Sequence, residues 1–302
     1  VLILNSMKKL LSLLLFLPLS ILAQDNSEQP KVWSKGVTTS LNFSQVAFSN
    51  WAAGGVNSVA FNGFINAHLN YDEDIYHWEN LLKLEYGVVK TGDEDYLKKS
   101  NDKIDFISKY GINFSNKFRV TGELSFLSQF SDGFDYAKVN DDGSFKQVSA
   151  FLAPAYLQFG VGIDFVPSKC FSVNVAPAMA KFTIVTVEEL QVKYGNDSLQ
   201  VCKPRFGGQV SASFNKEIIK NVTLQTSVRT FFDYLDKEGY KPVVNWDLAV
   251  VMKINKFMSA NIGTNLIWDK DVMTIDTNDD GVDDKAGIQF KELVGVGFTF
   301  SF

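Results

Sequence analysis

The fold is decided by the stretch Ser58-Val-Ala-Phe-Asn-Gly-Phe-Ile-Asn-Ala-His-Leu-Asn-Tyr71, which alternates apolar and polar side chains. One set of alternate positions holds Val59, Phe61, Ile65, Leu69 and Tyr71. The other set holds Ser58, Asn62, Asn66, His68 and Asn70. Successive side chains of a β-strand point to opposite faces. The stretch therefore predicts a strand with one apolar face and one mostly polar face.

The same alternation recurs along the chain, whereas helical periodicity is scarce outside the N-terminal segment. It predicts about twelve strands, each long enough to cross a bilayer at a tilt of about 35–45°. The alternation is plainest at residues 37–44, 58–71, 77–88, 103–114, 118–126, 157–165, 171–175, 206–214, 222–229, 244–253, 261–268 and 294–302.

The connections between these strands alternate in length. The short ones are 72–75, 115–117, 167–169, 215–221 and 255–256, and the long ones are 49–57, 91–101, 131–148, 185–204, 235–242 and 269–289. Short periplasmic turns and long external loops are typical of outer-membrane barrels, which satisfy every backbone hydrogen bond without helices. We therefore predict an all-β fold, a single closed transmembrane antiparallel β-barrel of about twelve strands with both termini periplasmic.

The N-terminal segment predicts export. Met7-Lys-Lys9 is followed by an apolar run at 10–22 and by Ala23, a small residue at a cleavage point. We expect residues 1–23 to be a removed signal peptide with upstream residues, 24–35 a short periplasmic segment and 36–302 the barrel. The expected location is the outer membrane of a Gram-negative bacterium.

The composition restricts the partners. The formal net charge is −5, so the chain lacks the basic footprint of a nucleic-acid-binding protein. We expect contacts with outer-membrane lipid and lipopolysaccharide, with the barrel-assembly machinery and with other outer-membrane proteins.

Cys170 and Cys202 fall at opposite ends of the predicted strands, too far apart for a disulfide.

Two blocks of sequence carry a resemblance to a known family. They are Leu41-Asn-Phe-Ser-Gln-Val-Ala-Phe-Ser-Asn-Trp-Ala-Ala-Gly-Gly-Val-Asn-Ser58 and Phe290-Lys-Glu-Leu-Val-Gly-Val-Gly-Phe-Thr-Phe-Ser-Phe302. From Trp33 onward the chain resembles a family of Bacteroidota outer-membrane proteins of unknown function. The resemblance implies the fold and the location, and it implies no activity. Phe298, Phe300 and Phe302 resemble the terminal aromatic signal that the barrel-assembly machinery recognises.

Charged residues occupy many positions on the predicted inward faces. They are Glu79, Lys83, Glu85, Lys103, Asp105, Lys109, Arg119, Glu123, Asp164, Arg229, Asp247 and Lys253. Both signs occur on neighbouring strands. Mutual neutralisation would pack the lumen with salt bridges, whereas incomplete packing would leave a narrow water-filled pore lined by these side chains.

The last long loop resembles a calcium-binding loop. Asp276, Asn278, Asp280 and Asp284 fall at positions 1, 3, 5 and 9, and the Val282 carbonyl falls at position 7. The twelfth position is Gly287, where such loops carry a bidentate glutamate. The loop is either a calcium site, the one cofactor expected here, or a solvated acidic loop bridged to lipopolysaccharide by divalent cations.

A second unusual loop, Ser49–Gly55, places Trp51 among small residues. Asn50, Trp51, Gly54 and Gly55 would form a constriction or a docking loop, or else a compact cap with the tryptophan in the interface.

Two histidines, His68 and His77, lie near the short turn at 72–75. Their place at the periplasmic end argues against hydrolysis near the outer leaflet, and we expect no enzymatic activity. The predicted function is a narrow diffusion channel for small solutes. The alternatives are an accessory subunit of a larger outer-membrane complex and, third, a lipid hydrolase.

Overall fold

A computed structural model describes residues 32–47, 56–92, 94–140, 142–236, 241–278 and 283–301. Twelve strands form a closed antiparallel barrel, which confirms the predicted fold class. They are β1 (Trp33–Val46), β2 (Ser58–Glu73), β3 (Tyr76–Thr91), β4 (Lys98–Ser115), β5 (Phe118–Ser128), β8 (Ala155–Ser168), β9 (Phe171–Ile184), β10 (Cys202–Ile219), β11 (Val222–Asp233), β12 (Val243–Lys253), β13 (Met258–Trp268) and β16 (Gln289–Ser301). Each strand pairs with the next of this series, and β16 pairs with β1 to close the wall.

Short and long connections alternate around the barrel, as predicted. We call the end with the short connections the turn end and the opposite end the loop end. Asp74 and Asn221 sit in turn-end hairpins with φ values of 50° and 67°. Asx side chains tolerate this left-handed conformation better than most. The expected turn at 215–221 is shorter than predicted, because β10 continues to Ile219.

The first strand begins at Trp33, three residues before the expected boundary at 36. The reason is local packing at the turn end. Trp33 is paired with Tyr71 in the ladder, and the two rings lie 5.0 Å apart. Trp33 also contacts Trp78 with a ring separation of 6.1 Å. These aromatic contacts extend the ladder beyond the region where alternation alone is clear.

Three loop-end connections contain elements that alternation did not predict. These elements are the hairpin β6 (Gly133–Val139) and β7 (Phe145–Ser149), the short helix α1 (Glu188–Gln191), and the pair β14 (Met273–Ile275) and β15 (Lys285–Ala286). A carboxylate anchors the base of the first hairpin, since Asp102 accepts hydrogen bonds from the backbone nitrogens of Phe130 (2.7 Å) and Ser131 (3.0 Å).

The outer wall is apolar and accessible. Leu41, Phe61, Val161 and Val294 point outward, and between 55% and 67% of each residue is exposed. Burying such surface in water-free surroundings is favourable, so the wall needs an apolar environment. Among the described residues, no helix is both long and apolar enough to cross a membrane.

Candidate functional site

The interior of the barrel carries the polar residues. Most of the predicted lumen charges lie on four successive strands, β3, β4, β5 and β8, while Arg229, Asp247 and Lys253 lie on β11 and β12. The inward positions of β13, β1 and β2 carry mostly neutral hydroxyl and amide groups. These include Ser259, Asn261, Asn265, Ser40, Asn42, Asn62 and Asn66. One half of the lumen is therefore a charged wall, and much of the other half is a neutral polar wall.

A continuous series of ion pairs crosses the charged wall near the turn end. Arg119 pairs with Glu79 (2.9 Å) and with Asp164 (3.3 Å). Lys109 pairs with Asp164 (3.5 Å) and with Glu123 (3.2 Å). The side chains of Asp164 and Glu123 are only 4% and 7% exposed. Buried charges need such opposite partners, so the pairing satisfies the requirement for mutual neutralisation.

Amide side chains from β9 and β10 extend this network. Asn174 donates hydrogen bonds to Asp164 and to Thr121, the latter at 3.1 Å. Gln209 reaches from β10 to Glu123 on β5, where its amide donates at 3.4 Å. Gln209 and Asn174 are 1% and 4% exposed. The side of the lumen between β5 and β10 is therefore filled by hydrogen-bonded side chains.

Lys291 projects from β16 across part of the lumen. Its Nζ donates to Asn101 on β4 (2.5 Å) and lies 3.7 Å from Glu85 on β3, although the Lys291 side chain is 48% exposed. Lys103 and Asp105, on the inward face of β4, pair at 3.3 Å and keep 21% and 15% exposure. The Lys291 contacts thus span part of the lumen, and all of these charges still contact solvent.

Charges on opposite walls also face one another. Asp247 on β12 and Lys103 on β4 are oppositely charged inward residues on opposite sides of the twelve-stranded ring. Asn265 donates to Asp247 at 2.9 Å and to Asn245 at 2.8 Å, which holds the carboxylate in place. Lys83 is paired in the ladder with Asp105. Lys253, in contrast, is exposed at the turn-end rim.

A further cluster lies at the loop end. We call Lys181, Lys203, Arg205, Asp269 and Asp271 the mouth cluster. Asp269 lies 3.6 Å from Nζ of Lys181 and 3.5 Å from Nη2 of Arg205. Asp271 lies 2.8 Å from Nη1 of Arg205 and 3.8 Å from Nζ of Lys203. Burial would raise the pKa of Asp269, but the charges of Lys181 and Arg205 outweigh it and lower that pKa.

The mouth cluster and Lys291 were not among the predicted lumen residues. Lys181 lies beyond Pro177 on β9, where the inward positions change from even to odd numbers. Arg205 keeps the odd parity of the inward Gln209 on β10, but it directly follows the segment 185–204 that was predicted as a loop. The change on β9 breaks the period of two on which the prediction depended. Lys291 also follows an uninterrupted alternation, and its parity with the inward Gly295 would have revealed it.

The two histidines face different surroundings at the turn end. His68 lies against Gly36, where an added side chain would overlap the imidazole. His77 contacts the Asp72 carboxylate through Nδ1 and the Asn113 amide through Nε2. The hydrogen-bond partners of His77 are thus a carboxylate and an amide, and the absence of enzymatic activity stays a prediction.

Only part of the predicted calcium loop is described. Asp284 accepts hydrogen bonds from the backbone nitrogen (3.0 Å) and the hydroxyl (2.6 Å) of Thr277, and these bonds lower its pKa. Asp276 accepts a hydrogen bond from the nitrogen of Asn278 (3.3 Å). Asp280 and Val282 lie outside the described residues, and within those described no group of three or more potential ligands is arranged for a metal. Calcium binding stays a prediction.

Three other predictions concern residues that lie outside the described ones. They are the constriction or docking loop with Asn50, Trp51, Gly54 and Gly55, the terminal residue Phe302, and residues 1–31. Phe298 and Phe300 face outward on β16 with 55% and 40% exposure. Cys170 and Cys202 are unpaired.

Comparison with known proteins finds a family of unknown function that matches part of the chain. Residues 43–134 match a family described as "Protein of unknown function (DUF3078)", which supports the predicted resemblance to a family of unknown function. The match covers less than half of the chain, and a Bacteroidota origin stays a prediction. No curated protein matches significantly.

Several solved structures are similar at low identity. An outer membrane channel from Pseudomonas putida F1 is 9% identical, with a TM-score of 0.40, over 92% of this chain and 98% of that one. The translocator domain of the autotransporter NalP from Neisseria meningitidis is 10% identical, with a TM-score of 0.38, over 91% and 90%. OmpT, an outer membrane protein of Vibrio cholerae, is 8% identical, with a TM-score of 0.34, over 92% and 100%.

Proposed function

We propose that the chain is a non-catalytic outer-membrane β-barrel and that it forms a narrow diffusion channel for small polar solutes. The apolar outer wall supports the membrane location. Trp33, Tyr76 and Trp78 are exposed near the turn end, and Trp246 is exposed near the loop end. Tryptophan and tyrosine rings favour the two membrane interfaces, and these positions are compatible with aromatic girdles on either side of an apolar band.

The exposure of inward residues carries the channel proposal. Asn66 and His68 on β2 and Gln225 on β11 face the interior of a closed barrel, yet all three are exposed to solvent. Lys291 on β16 is 48% exposed. These four residues lie on three different strands of the ring. Their exposure supports a water-accessible passage through the lumen, beside the packed charged wall.

Charges of both signs border this passage. Glu85, Lys103, Asp105 and Lys291 retain contact with water while pairing with one another. Rings of charged side chains are a common means of selecting solutes in pores. The mixture of signs favours passage of small polar solutes over passage of large or apolar ones.

Conductance in planar lipid bilayers tests the proposal. We expect discrete current steps from the wild-type protein. The variant Asn66→Trp should reduce the step size about twofold or more, because it places an indole in the passage. The matched control is Ile65→Trp, which places the same ring on the outward face of the same strand and should leave the step size unchanged.

Two results would refute the channel. One is a wild-type current no greater than that of a protein-free bilayer. The other is an equal step size in the wild type and Asn66→Trp, which would exclude a passage along β2. Circular dichroism of both tryptophan variants would confirm that the barrel is intact.

A further inference from the structure

We propose that the three cations of the mouth cluster form a binding site for small dicarboxylate anions, and that Asp269 and Asp271 occupy this site in the structure. This inference names a class of solute for the proposed channel, and the role of the site in transport rests on that proposed function. Binding itself requires only the folded barrel.

The cations belong to the barrel wall. Lys181 is on β9, and Lys203 and Arg205 are on the neighbouring β10. The side chains of Lys181 and Arg205 are only 4% and 5% exposed. Aromatic rings hold Lys181 in place, because its Nζ lies 5.0 Å from the ring centre of Tyr156 and 5.6 Å from that of Phe231. The wall thus presents a preformed basic surface at the loop end.

The carboxylates, in contrast, belong to a loop. Asp269 follows the last residue of β13, and three strand positions separate β13 from β10 around the ring. The segment that carries Asp269 and Asp271 therefore crosses part of the mouth to reach the cations. A loop carboxylate can leave with less disruption of the hydrogen-bonded wall than a strand residue can.

The arrangement matches a dicarboxylate in two respects. The two carboxylates lie two residues apart, and Arg205 bridges them, since Nη1 contacts Asp271 at 2.8 Å and Nη2 lies 3.5 Å from Asp269. Lys181 and Lys203 flank the arginine on either side. A planar guanidinium between two ammonium groups suits two carboxylates held a short distance apart.

The site also has unused capacity. Four cations contact the two carboxylates here, because Lys270 lies 3.5 Å from Asp271 in addition to pairing with Asp236 at 3.0 Å. Within the described part of the chain, Nε of Arg205 is buried and has no hydrogen-bond acceptor. A buried guanidinium donor without an acceptor is unfavourable. A free dicarboxylate, which is not limited by the geometry of the loop, would satisfy it.

Calorimetric titration of the detergent-solubilised protein with succinate tests this site. In the variant Asp269→Asn/Asp271→Asn the loop no longer supplies the competing charges, so succinate should bind about tenfold or more tightly than to the wild type. Adding Arg205→Gln to this variant should abolish the gain. Adding Lys203→Gln, at a side chain that is 32% exposed and therefore more tolerant of change, should reduce it several-fold.

The matched control is Glu94→Gln/Lys98→Gln, which removes a loop-end ion pair of 2.7 Å outside the mouth. It should bind succinate as the wild type does. Equal affinity in the wild type and the double asparagine variant would overturn the proposal, as would a gain that survives Arg205→Gln. A gain for inorganic phosphate without one for succinate would overturn the dicarboxylate assignment.

The titration is independent of the conductance measurement. Binding with no current would contradict the channel and leave the site standing. A current with no binding in any variant would contradict the site and leave the channel standing.

Discussion

At the scale of single residues, Asp164 is the centre of the charged wall. It accepts contacts from Arg119, Lys109 and Asn174 while its own side chain is 4% exposed. Its partners come from β5, β4 and β9, so one carboxylate joins strands on both sides of β8. Asp164 stabilises the folded barrel because it supplies an opposite charge to the largely buried cations Arg119 and Lys109.

The variant Asp164→Asn should lower the free energy of unfolding by about 3 kcal/mol, because it leaves two largely buried cations with one carboxylate fewer. Glu79→Gln is the matched control. The Glu79 side chain is 49% exposed, so its loss should cost less than about 1 kcal/mol. Urea unfolding in lipid vesicles measures both. Equal losses in the two variants would show that burial does not distinguish the two ion pairs.

Asp269 makes the loop end sensitive to acid. Its folded pKa lies below the ordinary value because the charges of Lys181 and Arg205 outweigh the effect of burial. The stabilisation is therefore complete above the unfolded pKa of about 3.9 and is lost as the pH falls through the lower folded value.

We expect pepsin to cleave the segment around 269–278 increasingly as the pH falls below about 4, relative to a denatured control. Asp269→Asn should lose most of this pH dependence, because it removes the titrating carboxyl. An unchanged pH profile in Asp269→Asn would assign the transition to another group.

At the scale of elements, the contact between β10 and β11 allows no side chain at Gly207. A Cβ atom there would lie 1.9 Å from the carbonyl oxygen of Phe232. Gly207 also borders the register shift in the pairing of β10 with β9. The glycine is thus required by the close approach of a paired backbone.

Gly207→Ala should destabilise the barrel by about 1–3 kcal/mol, because backbone atoms in a ladder cannot move aside as side chains do. Gly122→Ala on β5 is the control, since nothing lies within 4 Å of the added methyl group. The temperature at which each variant loses its compact band in semi-native electrophoresis measures the difference. Equal melting of the two alanine variants would contradict the steric argument.

The elements also show which features sequence can predict. Uninterrupted alternation, as at 58–71, located β2 and its two faces. The change of parity at Pro177 hid the inward position of Lys181, because a period of two carries no information across a bulge. Arg205 keeps the parity of the inward Gln209, and it was missed because it borders the segment predicted as a loop. The loop-end hairpin β6–β7 was missed for another reason: its anchor is Asp102, which lies on a strand distant in sequence.

At the scale of the whole molecule, alternation and loop length predicted the strand number and the closed barrel. Neither predicted how full the lumen is. Exposure at Asn66 and burial at Gln209 depend on which long side chains meet across the ring, and pairs such as Gln209 and Glu123 are 86 residues apart. Sequence periodicity assigns a residue to a face, and only the folded ring assigns it a partner.

The closure of β1 against β16 has a consequence for the order of assembly. Ser40 and Thr299 are 259 residues apart in the chain, yet their hydroxyl oxygens lie 3.1 Å apart across the seam. Contacts of such long range form slowly, because the intervening chain must first lose much of its conformational freedom. Until the seam forms, β1 and β16 each present an unpaired edge. Formation of the seam is therefore the step at which a sheet able to pair with other chains becomes a closed barrel, and the speed of that step limits how long the nascent barrel is exposed to aggregation.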